Sequence, residues 1–286
     1  MLTEVAAALR CPHCREGLRL EGRMATCASG HAFDLAKQGY LNLLPSTSTG
    51  IDGDTADMVA ARTAFLGEGH YRPIRDALAG LVSPAVAGVV VEVGAGTAYY
   101  LAGVVGAAPA RTGIALDVSR YAARRAAKAH ERIGAVVADA WRELPLLDDS
   151  AQILLNVFAP RNAAEMARVL TADGTLLVVT PNAAHLAELV DVLGLVKVDE
   201  SKDARLMSSL GGHFTRADDV QVEQVMKLDH TSIRNLVAMG PSAFHTEADS
   251  LTERLATLPD PADVTLSVTI STWHPTSGGG TDQPTG

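Results

Sequence analysis

From Val89 onward the chain alternates short, unbroken apolar runs with stretches in which apolar residues recur every three or four positions. A strand buried on both faces reads as an apolar run, and a helix packed on a sheet reads as a stripe of period 3.6. The runs at 89–93, 112–117, 134–138, 151–157 and 174–180 predict parallel strands with helices between them. Two later β-rich stretches, near 219–228 and 262–273, bring the count to seven, and the second alternates as a late antiparallel strand does. Upstream, 55–67 and 72–82 read as helices. The Ser/Thr/Gly/Asp stretch 46–55 reads as a linker or mobile loop, and the Gly/Thr/Pro-rich 275–286 as a disordered tail.

Composition narrows the possibilities. No apolar run approaches the roughly 18 residues needed to cross a bilayer, so a cytoplasmic chain without a membrane partner is expected. Lys and Arg number 24 against 33 Asp and Glu, and a net charge of −9 predicts no general attraction to polyanions. Any nucleic-acid surface must then be local. One candidate cluster is Arg10, Arg15, Arg19, Arg23 and Lys37; the other is Arg120, Arg124, Arg125, Lys128 and Arg132, equally readable as a solvated helix face.

All three cysteines lie in the first thirty residues, as Cys11, Cys14 and Cys27, with His31 following. Two cysteines flanking a tight turn supply one edge of a tetrahedron, and C-x2-C-x12-C-x3-H supplies all four donors of a closed zinc site. The odd cysteine count argues against a disulfide framework. His13, inside the knuckle, competes for the fourth position but reads as a surface residue because its neighbours already face the metal.

The apolar run ending Glu92-Val93 leads into Gly94-Ala95-Gly96-Thr97 and then a helix. Glycines there let the backbone approach a ligand, and Asp117, at the end of the next strand, stands where a carboxylate accepts both ribose hydroxyls of an adenosine. A dinucleotide loop would carry a third glycine where Tyr99 stands. The loop therefore suits S-adenosylmethionine, which has no phosphate, better than a dinucleotide. Asp139-Ala140 closes the third strand, where an acid can accept the adenine amine; a surface cap is the plain alternative. The fourth strand ends in Asn156–Asn162, beside the methyl-donor position, and His185 follows the fifth as a packing residue or a cofactor contact. These positions give a candidate cofactor set of Glu92, Gly94, Ala95, Gly96, Thr97, Asp117, Asp139, Ala140, Asn156 and His185.

Taken with the knuckle, the stretches Phe33–Leu44, Asp57–Arg62, Gly69-His70-Tyr71, Val91–Tyr100, Asn156–Asn162, Gly174–Leu186 and Val237–Ser242 resemble the 23S rRNA (guanine-N1)-methyltransferase family. The likeness covers nearly the whole chain and is nearest to the Gram-positive branch that includes tylosin-resistance enzymes. Glu92 stands for a more usual Asp, Ala95 for Cys or Gly, and Ala98 for a glycine. The resemblance implies a seven-stranded, Rossmann-like class I methyltransferase sheet with an N-terminal zinc module. It implies zinc on Cys11, Cys14, Cys27 and His31, and S-adenosylmethionine against Tyr71, Gly96, Thr97 and His185. A homodimer acting on one rRNA hairpin that lines the peptide exit tunnel is the implied assembly. The boundaries that follow are a zinc-binding, RNA-docking module at 1–45, a linker with helices at 46–87, a methyltransferase domain at 88–274 and the tail.

No residue is singled out as a general base. Asn156 and Phe158 are the candidates for positioning the guanine, with Phe158 or Tyr100 stacking on it. The competing readings are a small-molecule methyltransferase, which leaves the zinc module unexplained, and a non-catalytic zinc adaptor, against which the glycine loop and Asp117 weigh.

Overall fold

The computed structural model describes residues 3–45, 53–195, 202–240 and 248–276. The expected loop at 46–55 lies outside them up to residue 52, as does the tail beyond 276. The chain opens with α1 (Thr3–Ala7) and the short strands β1 (Arg19–Glu21), β2 (Met24–Thr26), β3 (Ala32–Asp34) and β4 (Tyr40–Asn42). Next come α2 (Ala56–Gly67), α3 (Arg72–Gly80), β5 (Gly88–Val93), α4 (Tyr99–Ala107), β6 (Arg111–Asp117), α5 (Arg120–Ala126) and β7 (Ile133–Val137). The remainder is β8 (Ala151–Val157), α6 (Ala163–Val169), β9 (Leu170–Pro181), α7 (Ala187–Leu193), α8 (Lys202–Leu210), β10 (Phe214–Leu228), α9 (His230–Ala238), α10 (Ala248–Leu255) and β11 (Ala262–Pro275).

The apolar runs become the centre of an eight-stranded sheet ordered β10-β11-β9-β8-β5-β6-β7-β4. Strands β9, β8, β5, β6, β7 and β4 run parallel, while β11 and β10 add antiparallel. Seven of these strands are those the pattern predicts. The eighth is β4, whose Tyr40–Asn42 pairs in register with Ala135–Val137. Three residues are too few to carry a periodic signal, and their partner lies far along the chain, so only the assembled sheet reveals the strand.

Because side chains alternate across a strand, the sheet divides two cores. Val90, Leu155, Leu177 and Val179 face the helices α2, α3, α4, α7 and α9, among Phe65, Ile74, Leu101, Leu189 and Ile233. Val91, Ile114, Leu116, Leu154 and Val178 face the other way, onto Val5, Leu9, Leu18 and Leu43, with Met166, Leu206 and Trp273. The metal-binding segment thus covers one face of the sheet and also lends it an edge strand. Side-chain caps start the helices that frame the site: Thr55 accepts the Met58 amide, Ser119 that of Ala122, and Asn162 that of Glu165.

Candidate methyl-transfer cleft and zinc centre

Two turns bring the four metal donors together. Cys11 N–H donates to Glu16 O at 2.7 Å, and Cys27 N–H to His31 O at 3.1 Å, folding both knuckles inward. The donor atoms of Cys11, Cys14, Cys27 and His31 all lie within 4.8 Å of one another. Cys14 Sγ is 3.5 Å from Cys27 Sγ, and His31 Nδ1 is 3.5 Å from Cys11 Sγ and 3.4 Å from Cys27 Sγ. Zn–S bonds of about 2.3 Å at tetrahedral corners give S···S edges of about 3.8 Å, whereas a disulfide needs about 2 Å. The set therefore fits zinc, closed by four protein ligands. His13 is exposed, its ring stacked on Phe33 at 5.9 Å between centroids.

Of the five basic residues expected on this module only Arg10 is buried, though three are engaged within the chain. Arg10, beside the first ligand, is buried and pairs with Glu143 while donating to Leu144 O. Arg15 reaches the same Glu143 at 3.0 Å, and Arg23 donates to Leu35 O and Ala36 O. Arg19 and Lys37 remain exposed. In the second cluster Arg120, Arg124, Arg125 and Lys128 are exposed, and only Arg132 is drawn away. Helix α5 ends at Ala126, and Arg132 beyond it donates to the carbonyls of Val105, Ala108, Pro109 and Arg111.

The cofactor cleft opens at the carboxyl ends of β5 to β8, as ligand sites in parallel sheets do. Gly94, Gly96, Asp117, Asp139 and Ala140 line it, with Arg62, Trp141, Phe158 and Pro160. Gly94 and Gly96 take φ of 72° and 53°, and a Cβ on Gly94 would come within 2.5 Å of the Ala159 Cβ. The amides of Gly94 and Ala95 both donate to Leu116 O at 2.9 Å. Asp117 fixes the loop further: Oδ2 accepts the Gly96 amide at 2.7 Å and Oδ1 that of Ser119 at 2.8 Å. Each oxygen keeps a second lone pair, and burial pushes this carboxyl above its ordinary value. No Lys or Arg belongs to the glycine turn itself, which suits a ligand whose far end carries an amino acid rather than phosphates.

Four of the expected cofactor residues line neither this cleft nor the compartment beside it. Glu92 is buried beneath the loop, where its Oε2 accepts the Leu101 amide at 3.1 Å and burial raises its pKa to about 8. Ala95 and Thr97 complete the loop without forming cleft wall. Asn156 is fully buried; its Nδ2 donates to Pro160 O at 2.8 Å and its Oδ1 has no partner among the described residues. Rather than facing an acceptor, Asn156 braces the turn that carries Phe158 and Pro160. Tyr100 is likewise buried, so it offers no stacking face.

A second compartment adjoins the first. Tyr71, Phe158, His185, Leu236 and Met239 wall it, and Arg62 and Phe158 belong to both compartments. Phe158 sits at φ 53° and is 42% exposed, with its ring stacked on His185 at 6.0 Å. His185 Nδ1 accepts the Ser267 amide at 3.2 Å, which places the ring proton on Nε2, 3.3 Å from Tyr71 Oη. Burial raises the Tyr71 phenol far above its ordinary value, so it stays protonated. Arg62 is clamped by Asp54 Oδ2 at 2.8 Å and Met239 O at 2.8 Å, and Ser119 Oγ donates to Asp54 O at 2.6 Å. Neither this strap from 53 to 62 nor Trp141 is legible in the sequence as cleft wall. The signal that could have found Trp141 is a rare tryptophan two residues past the third-strand acid, in a chain with only two.

The zinc-ribbon family model described as "RlmA, N-terminal" matches residues 9–48. The chain is 47% identical, over 96% of its length and 99% of the relative's, to the 23S rRNA (guanine(748)-N(1))-methyltransferase of Streptomyces fradiae. It is 46% identical, over 93% of its length and 97% of the relative's, to a Micromonospora griseorubida protein named "Putative 23S rRNA (guanine-N(1)-)-methyltransferase". Among solved structures, a chain of the complex between the Haloferax volcanii Trm112 methyltransferase activator and the "putative methyltransferase" shares the fold. Its TM-score is 0.50 at 18% identity, over 79% of this chain and 99% of that one. A zinc ribbon joined to a methyltransferase sheet, and kinship at this level over nearly the full length, place the chain in the 23S rRNA (guanine-N1)-methyltransferase family.

Proposed function

We propose that this chain methylates N1 of a guanine in a 23S rRNA hairpin lining the peptide exit tunnel. The observation that carries the reading is the shared wall: the cofactor cleft and an aromatic compartment meet at Arg62 and Phe158. Donor and acceptor can thus approach in line across one side chain, and alignment is most of what a displacement requires of an enzyme.

S-adenosylmethionine, when bound, supplies an electrophilic methyl on a sulfonium sulfur. Asp117 accepts from the ribose, Asp139 from the adenine amine, and the glycine loop admits the backbone to close approach. Tyr71 and His185 wall the aromatic compartment, where the amino-acid end of the cofactor would meet the guanine. Phe158 stacks on the extruded guanine, held in a left-handed backbone by the turn that Asn156 braces. Transfer would convert N1–H to N1–CH3, with S-adenosylhomocysteine leaving as the neutral thioether and the N1 proton passing to solvent. His185 is not its acceptor, because its accepting nitrogen is taken by the Ser267 amide. Zinc keeps the knuckle folded, and residues 1–45 dock the hairpin through the exposed Arg19 and Lys37.

The homodimeric assembly, a cytoplasmic location and protection of the ribosome from tylosin-type macrolides belong to the same reading. Among the described residues no helix is long and apolar enough to cross a membrane. The test is transfer of labelled methyl from S-adenosylmethionine to unmodified 23S rRNA, with the base mapped by primer extension. A single stop at a guanine of the tunnel hairpin supports the reading, and tight cofactor binding without transfer to rRNA overturns it.

A further inference from the structure

Several arginines of the cleft wall and of the segments behind it pair with acids. Arg62 pairs with Asp54, Arg142 with Asp139 at 3.3 Å, and Arg168 with Glu165 and Asp148. Arg161 follows Pro160 of the cleft wall and is partly buried, yet it has no hydrogen-bond or ion-pair partner among the described residues. Burial lowers its pKa and no acid offsets the shift. A guanidinium withdrawn from water without a counter-charge is costly, and such a group is retained where a ligand supplies the anion.

Trp141 presents the complementary feature. The residue is 67% exposed on the rim of the cofactor cleft, whereas Trp273 is fully buried. The backbone beneath the ring is clamped at both ends. Trp141 N–H donates to Asp139 Oδ1 at 2.9 Å, and its carbonyl accepts from Asn162 Nδ2 at 3.3 Å. Asn162 is the neighbour of Arg161, so the backbones that carry the indole and the guanidinium are joined by one bracket. A rigid backbone under an open aromatic face lowers the ordering cost of stacking.

We propose that Trp141 and Arg161 form a docking site for an unpaired nucleotide flanking the target guanine, the indole stacking on its base and the guanidinium binding its phosphate. The proposal rests on the rRNA-methylation reading above. An open aromatic face and an unpaired planar cation carried on linked backbone match a base and a phosphate together, as in single-strand recognition. The target guanine is served by the compartment behind Phe158, of which Trp141 is not part. In a chain of net charge −9, an unneutralised cation at this rim also gives the polyanion a local landing point.

The experiment uses the zinc-loaded full chain, a 23S rRNA hairpin fragment and S-adenosylmethionine, with intrinsic tryptophan fluorescence and salt-dependent binding as readouts. Trp141 is the solvent-facing tryptophan, so the hairpin alone should quench the emission and the cofactor alone should not. Trp141→Ala should weaken hairpin binding about tenfold or more without changing the salt dependence. Arg161→Gln should weaken binding and reduce the slope of log K against log salt by about one, with Arg161→Lys restoring the slope. Native far-ultraviolet circular dichroism and a full zinc complement would confirm that the variants are folded. Unchanged hairpin binding in both variants of an active enzyme overturns the proposal, as does quenching by the cofactor alone, which assigns the indole to adenine. Wild-type protein that neither binds nor methylates the hairpin overturns the underlying reading instead, a result distinct because no substitution is needed to see it.

Discussion

Tyr71 Oη lies 3.3 Å from His185 Nε2, joining residues 114 positions apart across the compartment beside the cofactor cleft. With His185 Nδ1 occupied by the Ser267 amide, the tautomer is set and the phenol oxygen accepts, leaving its own proton to donate elsewhere. Tyr71→Phe removes that acceptor and that donor at once. We expect S-adenosylmethionine affinity to fall about three- to tenfold and stability by about 1 kcal/mol, read by calorimetric titration and urea denaturation.

Phe158→Leu keeps a comparable volume but loses the flat face. The efficiency of rRNA methylation should drop at least about tenfold, with cofactor affinity little changed. Unaltered rRNA methylation would remove Phe158 from the acceptor site.

At Gly94 the left-handed φ of 72° and the 2.5 Å approach that a Cβ would make to Ala159 act together. Gly94→Ala must move either the glycine loop or the Phe158-Ala159-Pro160 turn, and both line the cleft. Cofactor binding should weaken by at least about tenfold, while far-ultraviolet circular dichroism stays native.

Glu92 predicts the direction of a pH effect. Its folded pKa of about 8 lies above the ordinary 4.5, so between those values the folded chain holds a proton that the unfolded chain has lost. The protonated group's contribution to stability is therefore whole below 4.5 and is lost as pH rises toward 8. Glu92→Gln keeps an acceptor for the Leu101 amide and removes the titration. Urea midpoints at about pH 5, 6.5 and 8 should decline less in the variant, and parallel declines would refute the assignment.

Cys14→Ser should abolish stoichiometric zinc, measured by metal analysis. Arg10 and Arg15 flank the knuckle and both hold Glu143, four residues beyond Asp139. Hairpin binding should be lost first, and cofactor affinity should weaken by a smaller factor as the 139–143 segment loosens.

What the sequence reveals and what it hides follow from range. Cys11-x2-Cys14 and Gly94-Ala95-Gly96 are local, and Asp117 is one βα unit away, so spacing exposes them. The strand runs read well because burial on both faces leaves an unbroken apolar signature, as at Val89–Val93 and Ala151–Val157. Arg62, by contrast, reaches the cleft only through Asp54 and the Met239 carbonyl, a residue 177 positions away. Asn156 misleads for the opposite reason: its place at a strand end suggests a ligand, but its amide turns inward to Pro160. Whether a polar side chain faces a cleft or supports one depends on partners that periodicity does not encode.

The pairing of Tyr40–Asn42 with Ala135–Val137 has a consequence for how the molecule comes apart. Opening the metal knuckle would strip a neighbour from β7 and uncover Val136 and Leu116 beneath it, so no inexpensive partial opening separates the two regions. In native-state hydrogen exchange, the amides of Tyr40–Asn42 and those of β7 should surrender protection together, as one cooperative unit rather than two.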